Sequence, residues 1–112
     1  MILHPYCSNS GRNLIYEYID SLPLNEKIDG YTVLQHMERD EFDKIFFKPW
    51  GKKIYEVYFQ KNNRIFYITV DNDNIYLLHA CHKQKNKTEK KDASIVRKRA
   101  KELNQMLGKK FI

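Results

Sequence analysis

This 112-residue chain has little of what several function classes require. Its two cysteines, Cys7 and Cys81, are far apart, make no disulfide framework and offer no Cys-x-x-Cys zinc spacing. Both are expected to stay reduced thiols. The four glycines build neither a glycine-rich phosphate loop nor a Gly-x-Ser-x-Gly elbow. No run reaches the ~18 apolar residues that a membrane span needs. Met1-Ile2-Leu3-His4-Pro5 carries neither a charged leader nor a long apolar core, so no secretory signal is expected, and the expected location is the cytoplasm.

What is present argues for a folded protein. Hydrophobic residues make up 42% and aromatics 13%, enough for one core, so a single domain over residues 1–112 is expected. The net charge of +6 is unevenly spread: residues 1–47 hold four Lys/Arg against eight Asp/Glu, and residues 48–112 hold sixteen against six. A basic second half fits either a polyanion partner or a solvated basic surface.

Apolar residues Leu14, Ile15, Tyr18, Ile19 and Leu22 fall at helical spacing and predict a helix from about Gly11 to Leu22, capped by Asn9 or Ser10. Ile28, Tyr31, Leu34 and Met37 predict a second from Leu24 to Arg39, although Gly30 in its middle costs ~1 kcal/mol against alanine. Three runs rich in Tyr, Phe, Ile and Val follow: Ile54–Gln60, Arg64–Val70 and Asn74–His79. Lys61-Asn62-Asn63 and Asp71-Asn72-Asp73 separate them as tight turns, which predicts an antiparallel meander. A last helix starts near Asp92 or Ala93, buries Ala93, Val96, Ala100, Leu103 and Leu107, and stops at Gly108. Met1–Tyr6 is a candidate edge strand.

Past Leu77-Leu78-His79 the last strand runs into Cys81, Lys83, Lys85 and Lys87. An unbroken alternation would put all of these on one face with Ile75 and Leu77, as a row of cations that could track a nucleic-acid backbone. Arg64 opens the preceding strand. Its guanidinium can fork onto a phosphate or pair with Glu56 or a turn aspartate. Lys48-Pro49-Trp50-Gly51-Lys52-Lys53 reads as a basic turn that could grip phosphates, with Trp50 stacking on a base or plugging the core. His79, Cys81 and His82 form the one candidate metal trio, but His82 should face away from the other two, and zinc needs three or four converging ligands.

Taken in order, the Lys48-Pro49 turn, Ile54-Tyr55-Glu56-Val57, Arg64-Ile65-Phe66-Tyr67, Leu77-Leu78-His79 and Lys83-x-x-x-Lys87-Thr88 resemble the phage-derived, HigB-like toxins of the RelE/ParE toxin–antitoxin superfamily. The hairpin turn Asp20-Ser21-Leu22-Pro23 and the closing helix with Arg97 and Arg99 agree in order and length. The resemblance implies an α+β, RelE-like fold, with an N-terminal helical hairpin packed on a small antiparallel sheet and a C-terminal helix. It implies a ribosome-dependent mRNA endoribonuclease, without cofactor or metal, in which the RNA 2′-hydroxyl attacks the adjacent phosphate. Partners implied are mRNA on the ribosome and a helix-turn-helix antitoxin, with no membrane.

By the same resemblance Arg64, Lys83, Lys87 and His79 are the catalytic candidates, and Lys48, Lys52, Lys53, Tyr58, Lys85 and Arg97 the RNA-binding ones. The chain departs from its relatives at Tyr58 and Glu56, where basic residues are frequent, and at Gln84 and Glu89. The general base is open among a lysine, His79, His82 and Glu56. Those departures keep two other readings in play: a non-enzymatic ParE-like gyrase inhibitor, and a protein of the same fold with nucleic-acid affinity alone.

Overall fold

The computed structural model describes residues 1–83 and 87–111. Along the chain come β1 (Ile2–Pro5), α1 (Leu14–Asp20), α2 (Leu24–Glu38), a 3-10 turn (Phe42–Lys44), β2 (Phe46–Gly51), β3 (Ile54–Phe59), β4 (Asn63–Thr69), β5 (Asn74–His82) and α3 (Lys90–Leu107). The strands form one sheet in the order β1-β5-β4-β3-β2, with β1 parallel to β5 and every other pair antiparallel. The α+β architecture is as expected and compatible with a RelE-like fold. The sheet is larger than the predicted meander and mixed rather than antiparallel, because strands join at both edges. Among the described residues no helix is long and apolar enough to cross a membrane.

Apolar side chains cover both faces of the sheet, as both-sided strands require. On one face Val57, Phe59, Ile65, Tyr67, Ile75 and Leu77 pack against Ile15 and Ile19 of α1 and Val33, Leu34 and Met37 of α2. On the other, Ile54, Phe66, Ile68 and Leu78 pack against Val96, Ala100 and Leu103 of α3. Helix α1 starts later than expected, because Asn13, not Asn9 or Ser10, caps it by accepting the Tyr16 N–H at 2.9 Å. Helix α3 starts earlier, at Lys90, and ends as expected at Gly108 in the left-handed conformation.

Two register details decide where the site falls. Pro49 pairs with Tyr55 but Gly51 with Ile54, so Trp50 is an extra residue in β2. The supposed basic turn is therefore an edge strand, and only Lys52 and Lys53 occupy the turn. In β5, Phe66 pairs with His79 but Tyr67 with Leu77, so Leu78 is a bulge. A bulge residue is unpaired and shifts all later residues to the other face. Ile75 and Leu77 face the helical hairpin, while Leu78 and Cys81 pack toward α3. The single-faced row expected from Ile75 to Lys87 is thus broken at Leu78.

The predicted stripe on α2 also shifts. Ile28 is exposed, and Glu26, Gly30, Val33, Leu34 and Met37 are buried. The helix turns its glycine inward: a Cβ at Gly30 would lie 2.9 Å from Phe59 Cε2 and 3.2 Å from Ile19 Cγ2. Gly30→Ala should therefore lower stability by about 1 kcal/mol, an overpacking cost of ~1–3 kcal/mol partly offset by ~1 kcal/mol of helix propensity. Urea unfolding checks this, and a variant more stable than the parent would disprove the close approach.

Candidate functional site: a cation cleft over a buried carboxylate

Helix α3 covers only part of its face of the sheet. Beyond it, β2, β3, β4 and the end of β5 present Lys48, Glu56, Tyr58, Arg64 and Lys83. Glu56 is 0% exposed and Lys83 only 5%. The Lys83 ammonium lies 3.4 Å from Glu56 Oε1, and Arg64 Nε 3.5 Å from the same oxygen. Among the described residues, Glu56 Oε2 and the Tyr58 hydroxyl are buried and make no hydrogen bond of ordinary geometry. The Tyr58 ring is a second anchor: the Arg64 guanidinium carbon sits 3.9 Å from its centroid and the Lys48 ammonium 5.3 Å. Burial pushes the Tyr58 phenol above its ordinary pKa of 10.0, so near neutrality the ring carries a proton and no charge.

Local chemistry explains the placement. Arg64 follows Asn63, which is buried and bound to the helical hairpin: the Tyr18 hydroxyl donates to Asn63 Oδ1, and Asn63 Nδ2 donates to Glu26 Oε1 at 2.9 Å. The turn before it uses left-handed Lys61 and Asn62, and the Lys83 N–H donates to Asn62 O at 2.8 Å. That bond ties the start of β4 to the residue after β5, so Arg64 and Lys83 are held together. Phe46, opposite Tyr58 in register, is 81% exposed beside the cleft. Directly opposed residues share a sheet face, so Phe46 offers a free aromatic surface next to the cations.

Of the expected catalytic residues, Arg64 and Lys83 converge. Lys87 is exposed. His79 belongs to a different contact: its Nε2 donates to Asp92 Oδ1 at 2.8 Å, Arg99 Nη1 lies 3.4 Å from its Nδ1, and its ring stacks on Phe66. Both nitrogens are engaged, and the ring clips β5 to the first turn of α3. Of the expected RNA contacts, Lys48 and Tyr58 line the cleft, and Lys53 is exposed in the turn. Lys52 and Arg97 lie beside Trp50, away from Glu56. Lys85 lies outside the described residues.

Trp50 packs edge-on to Phe66 at 5.3 Å, and its N–H donates to Thr88 Oγ1 at 2.9 Å. It plugs the end of the core. Cys7 and Cys81 are both free, the first exposed and the second buried. The metal trio changes membership. Ligand atoms of His79, Cys81 and Asp92 lie within 4.8 Å of one another, while His82 is exposed. Filling that trio would take the Cys81 proton, which burial holds up to about 12. It would also take the Nε2–H of His79 from Asp92.

Phe46 and Glu26 are not among the residues expected at the site, and Asn63, expected in a turn, instead opens β4 and anchors it to the helical hairpin. The aromatic pair Phe46-Phe47 ahead of Lys48 was a usable signal for an edge strand. Nothing local marked Asn63 or Glu26, which meet only through the fold.

The fold and the cleft define a small α+β protein compatible with a RelE-like architecture, with cations gathered on the part of the sheet that α3 does not cover. The chain belongs to the phage-derived protein Gp49-like family (DUF891), whose model matches residues 17–101. That is a family of RelE/HigB-like toxins, and such toxins imply an antitoxin partner. No curated protein matches the chain significantly.

Two stability predictions come from these contacts. Glu56→Gln strands two cations beside a neutral amide, and breaking a buried pair from one side costs about 3–5 kcal/mol. Its unfolding free energy from urea titration should fall by that margin, and Lys83→Met in the same chain should recover part of it. An additive double substitution would contradict the ion pair.

Desolvation, opposed by Asp92 and aided by Arg99 and Lys91, holds the His79 pKa below its ordinary 6.5. A depressed folded value means His79 gives its full contribution above pH 6.5 and loses it as pH falls from there toward the folded value. His79→Gln should flatten that part of the decline in urea midpoint. An unchanged acid limb would rule the contribution out.

Proposed function

We propose that the protein is the toxin of a type II toxin–antitoxin pair and an endoribonuclease that cuts mRNA on the ribosome. One observation carries the reading. Arg64, Lys83 and Lys48 converge around Glu56 and Tyr58 on the part of the sheet that α3 does not cover, beside the exposed ring of Phe46. Membership of a RelE/HigB-like toxin family agrees with it.

In this reading the scissile phosphate takes Arg64 and Lys83 from Glu56 Oε1. Glu56 Oε2 makes no hydrogen bond of ordinary geometry among the described residues, so it is open to a new donor. Glu56 then accepts the proton of the RNA 2′-hydroxyl, whose oxygen bonds to phosphorus. The P–O5′ bond breaks, and the leaving oxygen takes a proton from Lys83. The products are a 2′,3′-cyclic phosphate and a 5′-hydroxyl. Arg64 and Lys48 hold the charge that develops on the phosphoryl oxygens, a contribution of several kcal/mol in preorganised sites. Phe46 stacks a flanking base. Lys87 and Lys53 add charge along the RNA, and His79 positions β5 rather than moving a proton. The partner that silences this cleft is a helix-turn-helix antitoxin.

Glu56 supports a second reading. A carboxylate on the strand that carries basic residues in relatives suits a non-enzymatic inhibitor of gyrase.

Arg64→Ala should relieve the growth arrest caused by expression without antitoxin and lower RNA cleavage about 10²–10³-fold, the range for removing one transition-state donor. Mapping RNA 5′ ends after induction checks it. Arrest undiminished in both Arg64→Ala and Lys83→Ala proteins would defeat the mechanism, and intact mRNA with blocked DNA replication would favour the gyrase reading.

A further inference from the structure

On the far side of Trp50 from Glu56 lies a second cavity of about 470 Å³, lined by Trp50, Lys52, Arg97, Lys101 and Lys110 with Gly51 and Ile54. It brings four cations together, and no aspartate or glutamate lines it among the described residues. None of the four makes an ion pair among the described residues. That sets it apart from the cleft, where Glu56 already neutralises two cations.

The walls are built to hold the charges. Arg97 lies over the Trp50 ring at 5.0 Å, and Trp50 is fixed by Thr88 and Phe66. Arg97 and Lys101 are four residues apart on α3 and so share a helix face. Lys52 sits in the β2–β3 turn at φ 52, and Lys110 follows the Gly108 cap of α3. Like charges repel, and the arrangement gains energy only when an anion fills it.

Connection to the cleft points to the kind of anion. Lys48, at the cleft, and Lys52, at the cavity, lie on either side of Trp50 along one edge of the sheet. Successive residues of a strand rise ~3.3 Å, so the two lysines, four residues apart across a bulge and into a turn, are at most about 13 Å apart along the chain, the reach of a few nucleotides. We propose that this cavity is a phosphate-binding exosite that holds RNA beyond the bond being cut. The inference rests on the RNA reading above. It adds that the protein grips RNA at two separate places, one for chemistry and one for purchase on the flanking strand. A free phosphate or nucleotide would meet the same cations, so the test must separate the sources.

The experiment measures RNA binding against salt in an Arg64→Ala background, where slowed cutting leaves the RNA whole and the lost Arg64 contact is common to every protein compared. It compares an oligonucleotide of about four nucleotides with one of about twelve. Adding Lys101→Ala and Lys110→Ala should weaken binding of the long RNA several-fold. The slope of log affinity against log salt should fall in magnitude by about 1.4, at ~0.7 per single-strand phosphate contact. Binding of the short RNA should stay the same, and inorganic phosphate should not compete at matched concentration.

Unchanged affinity and slope for the long RNA would overturn the exosite and reveal a merely solvated basic face. Inorganic phosphate that displaces the long RNA, and does so only while the two lysines are present, would also overturn it by assigning the cavity to a free anion. The outcomes stay distinct from those of the cleavage reading. A protein that cuts RNA but ignores the lysine changes loses the exosite alone. One that grips long RNA through these lysines but leaves 5′ ends unaltered keeps the exosite and loses the nuclease.

Discussion

A buried carboxylate dictates the geometry of the cleft. Glu56 projects from the middle of β3 with no solvent exposure. Removing an ion from water costs several kcal/mol even after relaxation, so a charge there needs close partners. Lys83 and Arg64 supply them at 3.4 and 3.5 Å. Attraction at about 4 Å is worth ~4 kcal/mol at an effective dielectric near 20, comparable to the desolvation. The cluster therefore adds little net stability. Its effect is positional: it draws the long side chain of Lys83 back over the sheet and holds Arg64 in one place. The Lys83 ammonium is then held under the surface against an anion of the protein's own.

The bulge at Leu78 makes that cluster possible. With strict alternation from Ile75, residues 79, 81 and 83 would all face the helical hairpin. The extra residue reverses the faces, so Cys81 stands opposite Arg64 and Lys83 arrives on the Glu56 side. His79 comes to the same face, where Asp92 receives its N–H. Helix α3 is anchored there by its first turn and covers Phe66 and Leu78 but not Tyr58 or Arg64. One added residue in β5 thus controls which side the cations occupy and where the covering helix begins.

Helix and strand periodicity carried most of the fold in the sequence. The three central strands, α2 and the Gly108 stop were legible because each rests on local pattern. The bulge was not, since Leu77 and Leu78 are both apolar and alternation cannot say which one is extra. Edge strand β2 hid behind Lys48-Pro49, a pair that reads as a turn. Proline is tolerated there because an edge strand can forgo an N–H. In the site, Arg64 and Lys83 stood out as cations at strand ends, and the Glu56 alternative considered for Arg64 proved to be its contact. His79 stood out as readily, but its partner Asp92 lies 13 residues on and meets it only through the packing of α3. The exposure that sets Phe46 apart is not recorded in sequence, which shows only an aromatic beside another.

The departure at Tyr58 takes a different meaning in three dimensions. Basic residues are frequent there in the toxins this chain resembles, and an aromatic ring at first suggests a missing charge. The ring lies between two cations, Arg64 from β4 and Lys48 from β2. Lys48 is directly opposite Glu56 in the β2–β3 register, so positive charge reaches the same patch from the neighbouring strand. A lysine in place of Tyr58 would set three like charges side by side with one carboxylate among them. The aromatic face instead lets two cations approach, because its quadrupole attracts both. The cleft keeps its charge while the strand that usually carries it supplies the support.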